Sequence, residues 1–391
     1  MNASSSTLSR ADSALAWFAR IAVGATFLLI FVGGLVTSWQ AGMAVPDWPL
    51  SFGSINPAGW WQDWHVRLEH GHRLFAMLVA LLTGILCAWT WGNWRALFVA
   101  ALAAVLFPGA ARVMDAPKEL IVHLSIWPAA IVFAATLLWQ ARGGGPRYSA
   151  AVRWLAFAAF ICVCVQATLG GLRVTQETAG AIDVARVLRI AHGCFAQAFL
   201  CIVVAVAVQL APAWRERAWR YRGSALTAIR RLAWVTVAAI YLQLILGAAM
   251  RHLGAGLAIP TFPHATAEGG LLPAAHNASI DVNFTHTRAG AVLVTLLIAV
   301  LVTLVLRTAH REPRLTRPAL ALGALVAVQF ALGIFVIWHL KPPTLTSFHV
   351  ANGAALLAVS IVLALRAGRF TREPRAGAAC LPEPKLTEVP A

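Results

Sequence analysis

Four histidines and one glutamate carry the chemistry legible in this chain. Gly42-Met43-Ala44-Val45-Pro46-Asp47-Trp48-Pro49 lies without a gap over Gly256-Leu257-Ala258-Ile259-Pro260-Thr261-Phe262-Pro263, and the same offset carries His72 onto His286. A second match sets Val165-Gln166 and Leu169-Gly170 over Val328-Gln329 and Leu332-Gly333, each followed by a histidine, His192 and His349. A unit with two histidines is therefore present twice. Paired neutral imidazoles on facing helices can ligate a porphyrin iron from opposite sides, and bundle cores are a recurrent place for cofactors. Zinc, the competing metal, wants three or four clustered ligands with Cys, Asp or Glu among them. The repeat supplies two histidines per unit and no cysteine, so one haem per unit is the expectation.

The two copies differ in an acid. Glu69 falls over Asn283, three positions before the histidine and so on nearly the same helical face. A buried carboxylate there could accept a proton or stabilise positive charge beside a haem edge, whereas an amide can only hydrogen-bond. The bland reading of Glu69 is an acid favoured by a helix N-terminus. Arg73, Arg173, Arg251 and Arg288 lie near the histidines, placed either to bind haem propionates or simply to snorkel at the membrane interface. Trp48 lines a haem face or belongs, with most of the other tryptophans, to the interfacial belt. His65 and His70 read as solvent-facing loop residues. His123 reads as a relic or auxiliary residue.

The elements that must position these residues are membrane helices. Hydrophobic residues make up 60% of the 391 residues and charged ones 12%, against about 25% charged in a soluble domain. Apolar runs long enough for a bilayer fall at about 17–38, 72–92, 95–112, 120–140, 151–172, 190–210, 231–252, 286–307, 318–340 and 346–366, ten in all. A net charge of +16 would suggest nucleic acid in a soluble protein. Here, with the N-terminus cytoplasmic, 21 of the 31 basic residues fall inside, six of them in the connection that holds Arg215, Arg217, Arg220, Arg222, Arg230 and Arg231. That is the positive-inside pattern. It excludes nucleic-acid binding and places both termini in the cytoplasm of a bacterial plasma-membrane protein. On the same topology eleven of the twelve histidines face outward, His310 being the exception. Cys87, Cys162, Cys164, Cys194 and Cys201 fall within spans and read as small core residues, with no disulfide framework.

The expected fold class is an all-α integral membrane protein of two tandem, pseudo-symmetric four-helix bundles, with an extra helix pair in the first half. Its expected parts are a cytoplasmic segment at 1–16, an N-terminal bundle at 17–211 with the extra pair at about 95–140, a basic connection at 212–230, a C-terminal bundle at 231–366 and a solvated tail at 367–391. The extra pair repeats weakly, in Gly109-Ala110-Ala111-Arg112-Val113 and His123, the pattern of Gly170-Gly171-Leu172-Arg173-Val174 and His192. It makes His123 a rival of His192.

On Glu69-His70-Gly71-His72-Arg73, on Ala191-His192-Gly193-Cys194-Phe195-Ala196-Gln197, and on the repeat with His286 and His349, the chain resembles the haem A synthase family over roughly 17–366. The resemblance implies oxidation of a haem O ring methyl to the formyl group of haem A, through successive hydroxylations, for cytochrome oxidase assembly. It implies substrate haem between His72 and His192 in the N-terminal half, Glu69 serving the oxidation, and a resident haem b on the iron ligands His286 and His349 in the C-terminal half. The expected partners are the haem substrate, the membrane and an unidentified electron acceptor, with the haem O-producing enzyme and a second copy of the chain as candidates. Three features depart from the family. Residues 39–68 hold no cysteine pair, ten spans stand where eight are expected, and Thr287 separates His286 from Arg288. Two other classes remain on sequence alone: a dihaem b-type cytochrome that passes electrons without modifying haem, and a transporter. The parallel sense of the repeats disfavours the transporter, and the single acid disfavours the cytochrome.

Overall fold

The computed structural model describes residues 10–140, 148–215, 219–221 and 223–372. Residues 1–9 of the expected N-terminal segment, Arg217, Arg222, Arg375, Cys380 and the tail from 373 lie outside the described residues. Ten long helices dominate: α1 (Arg10–Ser38), α2 (Trp64–Trp91), α3 (Trp94–Val113), α4 (Lys118–Gln140), α5 (Ala150–Thr178), α6 (Ile182–Leu210), α7 (Leu226–His252), α8 (Ala278–Thr308), α9 (Pro313–Trp338) and α10 (Pro343–Arg369). The protein is an all-α integral membrane protein, because helices satisfy their own backbone polar groups where no water can. Their ends follow local chemistry. Asp63 accepts from the amides of His65 and Val66 to start α2, Asn277 accepts from Ile280 to start α8, and Pro313 and Pro343 stand in the first turns of α9 and α10. Those two amide bonds also hold the exposed Asp63 carboxyl below its ordinary pKa.

Nine of the ten helices are long and apolar enough to cross a membrane, among the described residues. In α4 an apolar helical stretch runs over Ile126–Trp139 among the described residues. Several helices also start earlier in the chain than the apolar runs suggest. Helix α2 starts at Trp64 rather than near 72, α6 at Ile182 rather than near 190, and α8 at Ala278 rather than 286. Charged residues truncate a hydropathy window but not a helix whose polar side chains find partners. The histidines therefore sit inside helices, not at their openings.

Helices α1, α2, α5 and α6 each touch two of the others and close a ring; α7, α8, α9 and α10 close a second. The rings meet where α10 packs on α1 and α6, and where α6 packs on α7. Half of the apolar window of α10 is buried, more than in any other span. Helices α3 and α4 pack chiefly on each other and join the first ring through buried Phe133 and Leu137, with the Phe133 ring tilted against Phe160 of α5 at 4.6 Å. On one side of the membrane Arg251 of α7 crosses the seam, donating to Gly34 O at 3.2 Å and Ser38 Oγ at 2.6 Å, while Ser347 Oγ donates to Ser38 Oγ at 2.9 Å.

On the other side, strand β1 (Trp219–Tyr221) pairs in parallel with β2 (Phe370–Arg372). Arg230 donates to the carbonyls of Ala367, Gly368 and Phe370, and Phe370 is 1% exposed. The tail expected from 367 thus begins later, because Phe370 supplies a buried ring that anchors the chain past the helix end.

Candidate functional site

Each of the four histidines rests against a glycine of the preceding helix in its ring. A Cβ placed on Gly33 would meet His72 Cε1 at 3.2 Å, one on Gly170 would meet His192 Cε1 at 3.1 Å, one on Gly247 would meet His286 Cε1 at 2.6 Å, and one on Gly333 would meet His349 Cε1 at 3.3 Å. Removing the Cβ lets an imidazole lie on bare backbone, which fixes the ring plane by packing alone. Three of these seats have a glutamine one turn earlier. Gln166 Nε2 donates to His192 O at 2.9 Å, Gln243 Nε2 to His286 O at 2.7 Å, and Gln329 Nε2 lies 3.1 Å from His349 Nε2. In the first seat that position is Leu29. His123 has no such seat, since a Cβ on Gly109 would meet nothing within 4 Å. The geometry groups His192, not His123, with the other three.

The two pairs of rings are not alike. The centroids of His286 and His349 are 6.4 Å apart. With metal–imidazole bonds of about 2 Å, two rings sharing one metal have centroids about 6 Å apart. His286 Nδ1 lies 3.2 Å from Gln243 O; donation to that carbonyl fixes the tautomer and leaves Nε2 to ligate. His349 Nδ1 is buried without a hydrogen-bond partner, and a metal on its Nε2 would replace the Gln329 amide there. These residues fit a bis-histidine haem. Among the described residues no such ring contact joins His72 to His192, although Nδ1 of each is likewise buried and unpartnered. No group of three His, Cys, Asp or Glu side chains that could hold a simple metal ion occurs among the described residues, and the cysteines described are free.

Glu69 is the hub of the first ring at the end that carries the long loop. Its side chain is 1% exposed and accepts on Oε1 from Arg73 Nε and Nη2, both at 3.2 Å, and from Arg173 Nη2 at 3.1 Å. Its Oε2 has only Arg173 Nη2, at 3.5 Å. A buried carboxylate persists when its charge is matched and its lone pairs are satisfied. The same arginines hold the loop over the ring: Arg73 donates to Val45 O, Asp47 O and Leu50 O at 2.7–2.9 Å, and Arg173 to Gly42 O at 3.0 Å.

The second ring repeats this anchor with other residues. Asn283, fully buried, donates to Ala255 O at 2.8 Å, and Arg288 donates to Thr261 O at 2.6 Å and His264 O at 2.8 Å. Those last two carbonyls stand at the repeat offset from Asp47 and Leu50. Arg288 therefore does the work of Arg73 although Thr287 holds the matching position. A single π turn, Thr285–Gly290, takes up the additional residue. Short 3₁₀ turns also recur, Ala41–Met43 and Ala255–Leu257, each entered through a left-handed residue, Gln40 at φ 55° and Gly254 at φ 73°.

Three histidines take other places. His70 is 3% exposed, with Nδ1 2.8 Å from Ser51 Oγ and its ring on Trp60, so the solvent-facing reading is corrected: its helix starts earlier than expected and turns it under the loop. His65 is exposed beside Asp63. His123 faces Trp48 at 5.2 Å and receives the Trp127 Nε1 proton on Nδ1 at 3.2 Å.

The family model for COX15-CtaA, described as cytochrome oxidase assembly protein, matches residues 127–361. A Heme A synthase from Symbiobacterium thermophilum is 30% identical over 321 residues, 80% of this chain and 83% of that protein. The chain belongs to the COX15-CtaA family. A second relative, the Heme A synthase from Lysinibacillus sphaericus, is 31% identical over 134 residues, 32% of this chain and 43% of its own length. The COX15-CtaA match runs from α4 to α10 and takes in His192, His286 and His349. Sequence reasoning missed the glycine seats of this COX15-CtaA protein as a set. Their signal is Gln-x-x-Leu-Gly, present at Gln166–Gly170, Gln243–Gly247 and Gln329–Gly333.

Proposed function

We propose that the chain is a haem A synthase, a haem-modifying membrane oxidoreductase that converts a methyl group of haem O to the formyl group of haem A for cytochrome oxidase assembly. One observation carries the reading: of two rings that seat histidines in the same way, only one has a buried carboxylate beside its histidine. Both relatives named above are called Heme A synthase.

On this reading residues 17–211 form the substrate half and residues 231–366 the cofactor half, with both termini cytoplasmic. His72 and His192 flank haem O and orient it, their ring planes set by Gly33 and Gly170. Glu69 presents Oε2, the oxygen with the weaker protein contact, as the atom that takes a proton released during oxidation, while Arg73 and Arg173 balance the charge on Oε1. The loop tied down by these arginines covers the site and limits water. His286 and His349 would hold haem b, which supplies one-electron chemistry. Asn283 keeps the loop anchor of the second ring without a group that can take a proton.

The test is expression in a bacterium supplied with haem O, followed by chromatography and mass analysis of extracted haems. Haem A or its hydroxylated precursor supports the proposal. Haem B alone, on a stably purified protein, overturns it in favour of a dihaem cytochrome.

A further inference from the structure

Among the described residues, a cavity outside the histidine rings is left unused by the proposed reaction. It measures about 370 Å³ and lies between the α3–α4 hairpin and α5, lined by Trp48, His123, Trp127, Thr168, Gly171 and Leu172, within the size range of small-molecule sites. Its outer wall belongs to α4, one of the two helices beyond the paired rings. Leu172 on its rim is 43% exposed on a helix long and apolar enough to cross a membrane, a position that suits entry of a lipid-soluble ligand.

The lining favours a flat ring bearing a hydrogen-bond acceptor. Two indoles and an imidazole supply aromatic walls. His123 Nδ1 accepts from Trp127 Nε1, which in a neutral imidazole places the remaining proton on Nε2 as a donor. Thr168 Oγ1 donates to Cys164 O and leaves its lone pairs, not its proton, for a ligand.

The cavity is also wired to the first ring by packing. The Trp48 indole lies flat on Gly171, where a Cβ would fall 2.5 Å from Cδ2 and Cε2, and the preceding residue, Gly170, seats His192. A redox-active ligand against Trp48 is thus separated from the His192 seat by an indole and a helix backbone.

We propose that this cavity binds the headgroup of a membrane quinone, held by His123 Nε2–H to a quinone carbonyl and by the faces of Trp48 and Trp127, with the prenyl tail in the bilayer. Resting on the haem A synthase reading, it supplies the electron acceptor. Written with water as the oxygen source, the methyl group and one water yield the formyl group, four protons and four electrons. Two quinones take these up and leave as two quinols.

The experiment uses the full chain in lipid nanodiscs without added haem, titrated with labelled decylubiquinone. The expected result is saturable binding of one equivalent above lipid partition. His123→Phe should weaken it about tenfold, the loss of one buried hydrogen bond, while His123→Gln, which keeps an N–H donor, should recover part of it. Both variants are compared only as monodisperse, helical protein. Binding no greater than partition into empty nanodiscs, an unchanged affinity in His123→Phe, or displacement of the quinone by farnesol at equal concentration would each overturn the proposal, the last by placing an isoprenoid tail there instead. Quinone binding without haem A formation sinks the synthase reading alone. Haem A formation without quinone binding sinks this inference alone.

Discussion

The two rings share a scaffold and differ in what that scaffold can do. In the second, the ring centroids of His286 and His349 stand 6.4 Å apart, with a backbone carbonyl fixing one tautomer and a neutral amide, Asn283, sharing with Arg288 the hold on the loop. In the first, the equivalent loop is held by a charged trio of Glu69, Arg73 and Arg173. Asn283 with Arg288 shows that this loop can be tied to its helix without a carboxylate. The additional cost of burying a carboxylate and a second guanidinium, Arg173, therefore points to a use for the charge itself, which is the strongest reason to separate a reacting half from a holding half.

The comparison breaks most sharply at the ligands. His286→Ala or His349→Ala should abolish the resident haem absorbance, read as the α-band of dithionite-reduced protein, whereas His72→Ala should leave it; equal loss from all three would erase the distinction between halves. Next comes the acid. Glu69→Ala should cut haem A formation by about a hundredfold or more while the resident haem absorbance persists, and leaving the partly buried Arg73 and Arg173 without their counter-charge should cost about 3 kcal/mol in unfolding measurements. Asn283→Ala should cost about 1–2 kcal/mol and leave product formation per bound resident haem nearly unchanged; full product in Glu69→Ala would end the catalytic assignment.

The glycine seats come third. Gly247→Ala puts a methyl 2.6 Å from His286 and should lower resident haem occupancy several-fold, more than Gly33→Ala lowers turnover, since His72 stands off at 3.2 Å. The smallest effect belongs to Gly24, a helical position of α1 where a Cβ would meet nothing within 4 Å. Gly24→Ala should raise stability by about 0.5 kcal/mol or leave it unchanged, and a larger loss would mean that α1 has a contact the structure lacks.

The spans were legible because a bilayer imposes a length and an apolarity that sequence states directly, and the repeat was legible because loop residues such as Pro46 and Pro260 keep their register. The early starts of α2, α6 and α8 were not, since Glu69, Arg73 and Arg189 read as helix-ending polarity until their partners are known. His70 was misjudged for the same reason: only the fold shows Ser51 and Trp60 above it. Pairing Glu69 with Arg173 joins residues on different helices, and nothing local announces it. The choice between His192 and His123 was open in sequence and turned on a glycine whose significance is a missing atom.

The π turn at Thr285–Gly290 has a consequence for how such chains diverge. A residue gained inside a membrane helix would ordinarily rotate everything beyond it by about a hundred degrees, turning an inward side chain toward lipid. Here the widened turn absorbs that rotation within a few residues, so the guanidinium keeps its carbonyls while the letter-by-letter correspondence slips. Ungapped comparison of the halves then pairs a threonine with an arginine and reports a loss that the folded chain never suffered.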